Sequence, residues 1–250
     1  MGVTEEQNEV YLLLQQIQRA TGGSKVLPII GFGAGGHARV LLETVLLRNE
    51  FEVIGFVDDN SALHGEQVHG IRVLGGEAIL PELFGRGVRH FFLGVGGVGD
   101  NHPRARIFEH LCRFGFRVVN VIHPAAVISK TAALGKGVAI MAGVVVNSGV
   151  LIGDNVILNT GVLVDHDCRI GDHVHIAPGV VLSGGVTVGA YSHLGTGSSV
   201  RQNVSIGLGA IVGVGSAVVS DVPDGSTVAG VPAKPLRAEV AVTRSASSDE

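Results

Sequence analysis

Residues 158–179 read LNTGVLVDHDCRIGDHVHIAPG, and the spacing inside this stretch decides the fold. Leu158, Val164, Ile170 and Ile176 stand six apart, and the same spacing runs unbroken from Ile122 to Val218 through seventeen aliphatic residues. Four places after each of the first sixteen comes a small residue, such as Ala126, Val138, Cys168 or Ser192. A fixed internal period takes precedence over local propensity. Six matches neither the helical period of 3.6 nor the alternation of a long strand. It matches a short strand and a turn, with one large and one small side chain pointing inward per repeat. The third residue after the aliphatic one is Gly in nine of the sixteen repeats and Asn or Asp in three more. Those types tolerate positive φ, so the chain can bend sharply at each repeat.

Upstream of the repeat the pattern changes. Residues 26–47 give an apolar strand, the glycine loop GFGAGG and a helix, and FEVIGFVDD follows as a second strand ending in Asp58 and Asp59. HFFLGVG (90–96) and FRVVNVI (116–122) are further strand candidates, with a helix from about 103 to 114 between them. Strands alternating with helices predict a small parallel α/β domain of about four strands. Gly31, Gly33 and Gly36 match G-x-G-x-x-G between strand and helix, and Asp58 lies 22 residues beyond Gly36. This pattern places phosphates at a helix N-terminus and an acid at the end of the second strand. Half a dinucleotide sheet suits a mononucleotide or nucleotide-sugar better than NAD.

The chain therefore divides into an N-terminal extension (1–24), whose residues 5–20 read as an amphipathic helix, then a Rossmann-like domain (25–121), the repeat domain (122–237) and a disordered tail (238–250). Abundant glycine (38), no tryptophan and 16% charged residues agree with a turn-rich solenoid. A net charge of −4 gives no basic footprint for nucleic acid. Cys112 and Cys168 make no disulfide framework. With no signal peptide and no apolar run long enough to span a bilayer, the expectation is a soluble cytoplasmic protein without membrane insertion.

The repeats resemble the hexapeptide left-handed parallel β-helix, in which three hexads make one triangular coil. The fold class is thus an α/β N-terminal domain (a small Rossmann-like parallel sheet) followed by an all-β left-handed helix. The GxGxxGH loop, the Val57-Asp58-Asp59 strand end, His166-Asp167-Cys168 and the closing Gly230-Val231-Pro232-Ala233-Lys234-Pro235 together resemble the bacterial sugar acyltransferases. That family includes the nucleotide-linked 4-amino-sugar N-acetyltransferases of UDP-bacillosamine and GDP-perosamine type and the sialic acid O-acetyltransferases. The resemblance covers residues 26–237.

It implies an acetyl-CoA-dependent N-acetyltransferase acting on a UDP- or GDP-linked 4-amino-4-deoxyhexose, with no metal. His166 matches the general base and Asp167 the adjacent acid. Asn159 and His175 match acceptor-site positions. In the first domain, Gly33, Gly35, Gly36, His37, Asp58 and Asp59 match positions that hold the nucleotide-sugar. Gly184, Gly195, Gly213, Gly215 and Lys234 match the acetyl-CoA side. An outward His beside a carboxylate suits proton abstraction on its own chemistry, since its ordinary pKa lies near 6.5.

The repeat itself adds one constraint. His166 and His175 are nine residues apart, half a coil, so they point to opposite sides of one prism, whereas His175 and His193 are 18 apart and share a face. A site using both His166 and His175 must lie between subunits, which predicts an oligomer, most simply a homotrimer. Acetylation of a sialic acid hydroxyl is the nearest alternative. A zinc site of γ-carbonic anhydrase type, an NAD-binding oxidoreductase and a non-catalytic trimeric scaffold are more remote.

Overall fold

The structure, a computed structural model, describes residues 26–236. The expected N-terminal helix (5–20) and the tail (238–250) lie outside the described residues.

The first domain is built on β1 (Leu27–Phe32), β2 (Phe51–Val57), β3 (Gln67–Val68), β4 (Ile71–Gly75), β5 (His90–Leu93) and β6 (Arg117–Val118). They form one six-stranded sheet in the order β3-β4-β2-β1-β5-β6, parallel except for the β3–β4 pair. The sequence led us to expect about four strands. The added β3–β4 hairpin is short and turns through His69 (φ 50) and Gly70 (φ 79), so it leaves no periodic apolar signal. The helices are α1 (Gly36–Arg48), the short α2 (Leu80–Gly85) and α3 (His102–Phe114).

The segment read as one strand, FRVVNVI, is divided. Arg117–Val118 completes the sheet and Val121–Ile122 opens the solenoid. Asn120 makes the joint: its Nδ2 donates to the Gly135 carbonyl at 2.9 Å and its Oδ1 accepts from the Val138 N–H at 3.0 Å. A polar side chain thus closes the bottom coil where no preceding coil supplies partners.

From residue 121 the chain winds as a triangular prism of two-residue rungs. Face 1 stacks Val121–Ile122, Ala139–Ile140, Ile157–Leu158, His175–Ile176, His193–Leu194 and Ile211–Val212. Face 2 runs from Val127–Ile128 to Ala217–Val218, and face 3 from Ala133–Leu134 to Ser205–Ile206. Face 1 is closed by Thr227–Ala229 and by Lys234–Pro235, paired antiparallel to it.

The corners follow the sequence pattern with one extension. Every third residue after an aliphatic rung from Gly137 to Gly215 has positive φ, including His173 (φ 61) and Tyr191 (φ 63). Inward residues such as Ile140, Leu158, Cys168, Val174 and Leu182 are fully buried. The prism core is continuous with the α1 side of the sheet, where Leu41, Leu42, Val45 and Phe92 pack in the same cluster.

Glycine serves two distinct purposes in the coils. Gly161 has φ +70 and open space around its Cα, whereas a Cβ on Gly171 would lie 2.7 Å from the Ala190 backbone nitrogen of the next coil. We expect Gly161→Ala to cost about 1–2 kcal/mol through the left-handed backbone alone. Gly171→Ala forces neighbouring coils apart and costs more. Denaturant midpoints of the two variants check this, and equal losses would contradict the coil spacing.

Candidate active site

The sequence-expected residues fall into three groups. The first is the corner between faces 2 and 3, where Leu163–Val164 turns into Arg169–Ile170 through Asp165-His166-Asp167. Asp167 sits at the positive-φ corner (φ 60), a conformation an Asp side chain tolerates, and this aims its carboxylate back at its neighbour. His166 Nδ1 and Asp167 Oδ2 lie 2.8 Å apart. A carboxylate only accepts, so Nδ1 carries the hydrogen and Nε2 is left with a free lone pair. Asp165 Oδ1 accepts from the His166 backbone N–H at 2.8 Å and from Asn147 Nδ2 at 2.9 Å, which fixes the turn.

The Asp167 hydrogen bond, and then the Asp165 charge, raise the His166 pKa above its usual value. Gly184 lies one coil above: a Cβ there would come within 2.6 Å of the ring's Cε1 and Nε2. Glycine at 184 is what leaves the imidazole its place.

The second group lies on face 1, where the α/β domain covers the prism. His175 and His193 pair in register with ring centroids 5.0 Å apart, as their 18-residue spacing requires. Outward repeat positions were expected to stand clear of any core, but His173, His175 and His193 are all buried. They are outward with respect to the prism and inward with respect to the molecule, because the loop before α3 and α3 itself lie on them.

His175 Nδ1 bonds the Gly97 carbonyl, so Nδ1 is the donor, and Nε2 faces Asn159 Nδ2 at 3.4 Å. Burial, with the nearby charges of His193, Arg104 and His37, pushes its pKa down to about 3. His37 opens α1 beside Gly96, and burial followed by the Arg104 charge lowers it to about 4. Near pH 7 both rings are neutral hydrogen-bonding groups rather than cations.

The third group is the glycine loop. Gly33 turns at φ +89, and Gly35 and Gly36 have open space where side chains would be. Gly31 is a packing residue, since a Cβ there would meet the Phe56 ring at 2.4 Å. Asp58 braces the loop, its two oxygens accepting from the Ala34 N–H at 2.8 Å and the Asn60 N–H at 2.9 Å. Asp59 accepts from the Glu77 N–H at 2.9 Å. The structure therefore brings Asn159, His175, His37 and the loop to one side of the molecule and leaves His166 and Gly184 on another corner.

Gly195 and Gly213 stack on the corner between faces 1 and 2, the edge that also carries Asn159, and are held close by packing. A Cβ on Gly195 would lie 2.7 Å from Val212 O, and one on Gly213 would lie 2.8 Å from Ala229 Cβ. Gly215 (φ +66) and exposed Lys234 are open.

Sequence reasoning missed Gly97, Asn101 and Arg104, which join the two domains. The signal was present in His173 and Tyr191, the two mid-repeat corner positions that are neither Gly, Asn nor Asp.

Comparison with known proteins gives the arrangement its family. Residues 28–111 match the PglD N-terminal domain, and residues 149–184 and 167–202 match the bacterial transferase hexapeptide of six repeats. PerB of Caulobacter crescentus, solved with CoA and GDP-perosamine, is 41% identical with a TM-score of 0.78, over 84% of this chain and 97% of that one. The chain belongs to this family of hexapeptide-repeat sugar N-acetyltransferases.

Another member, the acetyltransferase domain of PglB from Neisseria gonorrhoeae in complex with acetyl coenzyme A, is 37% identical with a TM-score of 0.77, over 84% and 100% of the two chains. A curated relative, the UDP-N-acetylbacillosamine N-acetyltransferase of Bacillus subtilis, is 36% identical over 111 residues, 44% of this chain. The matched region spans 49% of that relative's length, about half of it. Among the described residues no helix is long and apolar enough to cross a membrane, and no cluster of three or more His, Cys, Asp or Glu side chains is placed to hold a metal ion.

The His166–Asp167 geometry makes a direct prediction. Asp167→Asn removes the larger cause of the raised pKa, so the His166 ring should titrate at lower pH than in the wild type. A histidine ring titration by NMR reads this, and an unmoved midpoint would deny Asp167 that role.

Proposed function

We propose that the protein transfers the acetyl group of acetyl-CoA to the amino group of a nucleotide-linked 4-amino-4-deoxyhexose, with His166 as general base. The observation that carries this is the His166 imidazole, held through Nδ1 by Asp167 with Nε2 free over Gly184. The Caulobacter protein, which shares this fold, was solved in complex with CoA and GDP-perosamine. Two structures of that protein with a histidine replaced by Asn or Ala also contain CoA and GDP-perosamine.

In this reading the neutral amine attacks the thioester carbonyl and a C–N bond forms. The C–S bond breaks and CoA leaves as the thiolate, while His166 Nε2 takes the proton that attack makes acidic. Asp167 keeps the ring in the Nδ1–H tautomer and stabilises the imidazolium, as the acid of a Ser-His-Asp system does. His175, neutral and with Nε2 as acceptor, orients the sugar beside Asn159. The nucleotide diphosphate lies at the Gly33–Gly36 loop and the α1 N-terminus, next to His37.

His166 and His175 act on one substrate only if they come from different copies, because one lies on the corner of faces 2 and 3 and the other on face 1. Face 2, between them, carries the exposed apolar residues Val127, Leu163 and Val181. A second prism packed there covers them and completes the site, which gives a homotrimer of closed symmetry. Acetyl-CoA lies along the same seam, toward Gly195, Gly213, Gly215 and Lys234.

Release of CoA thiol from acetyl-CoA, measured against UDP- and GDP-linked 4-amino sugars and free sialic acid, tests the reading. His166→Ala should lower turnover by about 10²–10⁴, the usual share of a general base, while acetyl-CoA still binds. Because the base must be neutral, turnover should fall as pH drops through a midpoint above the ordinary histidine value, and Asp167→Asn should move that limb to lower pH. Turnover confined to sialic acid would reassign the acceptor. Full activity in His166→Ala would remove it from the mechanism.

A further inference from the structure

At the junction between the two domains, eight residues of one segment, Gly97 to Arg104, reach three successive coils with hydrogen bonds. Gly97 accepts from His175, as described. Asn101, fully buried, donates from Nδ2 to the Tyr191 carbonyl at 3.1 Å and the Ser192 carbonyl at 3.0 Å. Arg104, 1% exposed, donates to the Asn155 carbonyl, to Asn155 Oδ1 at 2.9 Å, and from Nη2 to the His173 and Val174 carbonyls at 2.7 and 3.4 Å. All of these acceptors are neutral oxygens. A guanidinium out of water without a carboxylate is an expensive group to bury. A planar fork of donors is, however, the one side chain able to hold two coils at once.

The prism side of the junction is equally unusual. Asn155, His173 and Tyr191 occupy the same corner in three consecutive coils at φ 54, 61 and 63, where most other corners carry Gly. A His or Tyr in this conformation is strained. Their side chains contact α3 or one another: Asn155 meets Arg104 and His173 Nδ1, His173 packs edge-on against Phe108, and Tyr191 stacks on His102 with centroids 4.6 Å apart. Strain held in one column, opposite a buried cation, marks a docking surface built to a fixed geometry.

We propose that Arg104 is a positioning residue for acetyl transfer: it locks the nucleotide-sugar domain to the corner of faces 3 and 1 so that His37 and His175 confront the same acceptor. The proposal rests on the functional reading above. Arg104 acts through other residues. Two of the three carbonyls it binds belong to the residues immediately before His175, and the segment it anchors carries the Gly97 carbonyl that sets the His175 tautomer.

Its charge has a second effect. Besides Arg104, the groups facing these histidines are His37 and His193 for His175, and Asp172, Glu109 and Asp154 for His173. For His37 and His193, Arg104 is the charge that adds to burial in keeping the ring neutral.

Steady-state kinetics and ring ¹⁵N spectra of the full-length wild type, Arg104→Gln and Arg104→Lys separate the geometric and electrostatic parts. In Arg104→Gln we expect the KM for the nucleotide-sugar to rise about tenfold or more while the KM for acetyl-CoA stays within about twofold, since misplacement affects only the substrate held by the moved domain. Its His37 and His193 rings should titrate at higher pH than in the wild type, with burial still holding them below the ordinary histidine value. Arg104→Lys should restore the ring titrations, because it keeps the charge, but not the KM, because one ammonium nitrogen cannot reproduce the planar fork whose two ends reach Asn155 and His173.

If Arg104→Gln does not fold, Tyr191→Gly serves in its place. Glycine suits that backbone, so the prism stays folded, and the KM for the nucleotide-sugar alone should rise. Equal changes in both KM values, or a KM for the nucleotide-sugar unchanged in Arg104→Gln, would overturn the proposal. Absence of turnover with every acceptor in the wild type would instead sink the functional reading, and the ring ¹⁵N spectra would still decide the role of Arg104, since an unchanged Nδ1–H tautomer of His175 in Arg104→Gln would deny that Arg104 sets it.

Discussion

A backbone that must turn through the left-handed region once every six residues sets the rest of this structure. Each such corner ends a two-residue rung, and three corners return the chain to the face it left, one strand spacing higher. Parallel rungs then pair without a gap, so every face is a sheet and every inward position is core. The outward positions become addresses. A residue's number, taken in steps of 18, specifies which face or edge it stands on.

That addressing explains how chemistry is distributed over a rigid solenoid. Residues that must act together in one chain need the same column or neighbouring coils, as His175 and His193 show and as His166 with Gly184 above it shows. Residues on different columns can meet only if another body brings them together. In this protein the α/β domain is one such body: it folds over face 1 and converts histidines that the bare prism would expose into buried neutral ones. The proposed reaction assigns the second role to an adjoining copy seated on the exposed apolar column of face 2.

Local electrostatics then separate the two kinds of histidine. His166 stands in solvent beside two carboxylates and its basicity rises. His37 and His175 lie in a dry junction beside a guanidinium and theirs falls. The same side chain is thus more basic at one edge and an uncharged hydrogen-bonding group at another, and the difference comes from solvent and neighbours rather than from residue type.

The sequence by itself determined the prism, its faces and corners, and the opposition of His166 and His175, because a strict period of six is a one-dimensional signal that needs no long-range information. It also carried the loop-and-acid pattern of the first domain and the motifs of the acyltransferase family. Only the tertiary structure decided that β3 and β4 widen the sheet, that FRVVNVI serves two domains, and that Arg104, Asn101 and Gly97 clasp the coils. The clasp depends on contacts between residues 51 to 91 positions apart, and nothing in the local pattern distinguishes Arg104 from a solvated helix cation. Tyr191 and His173 were the visible trace of that junction, as residues that no isolated coil would place at a left-handed corner.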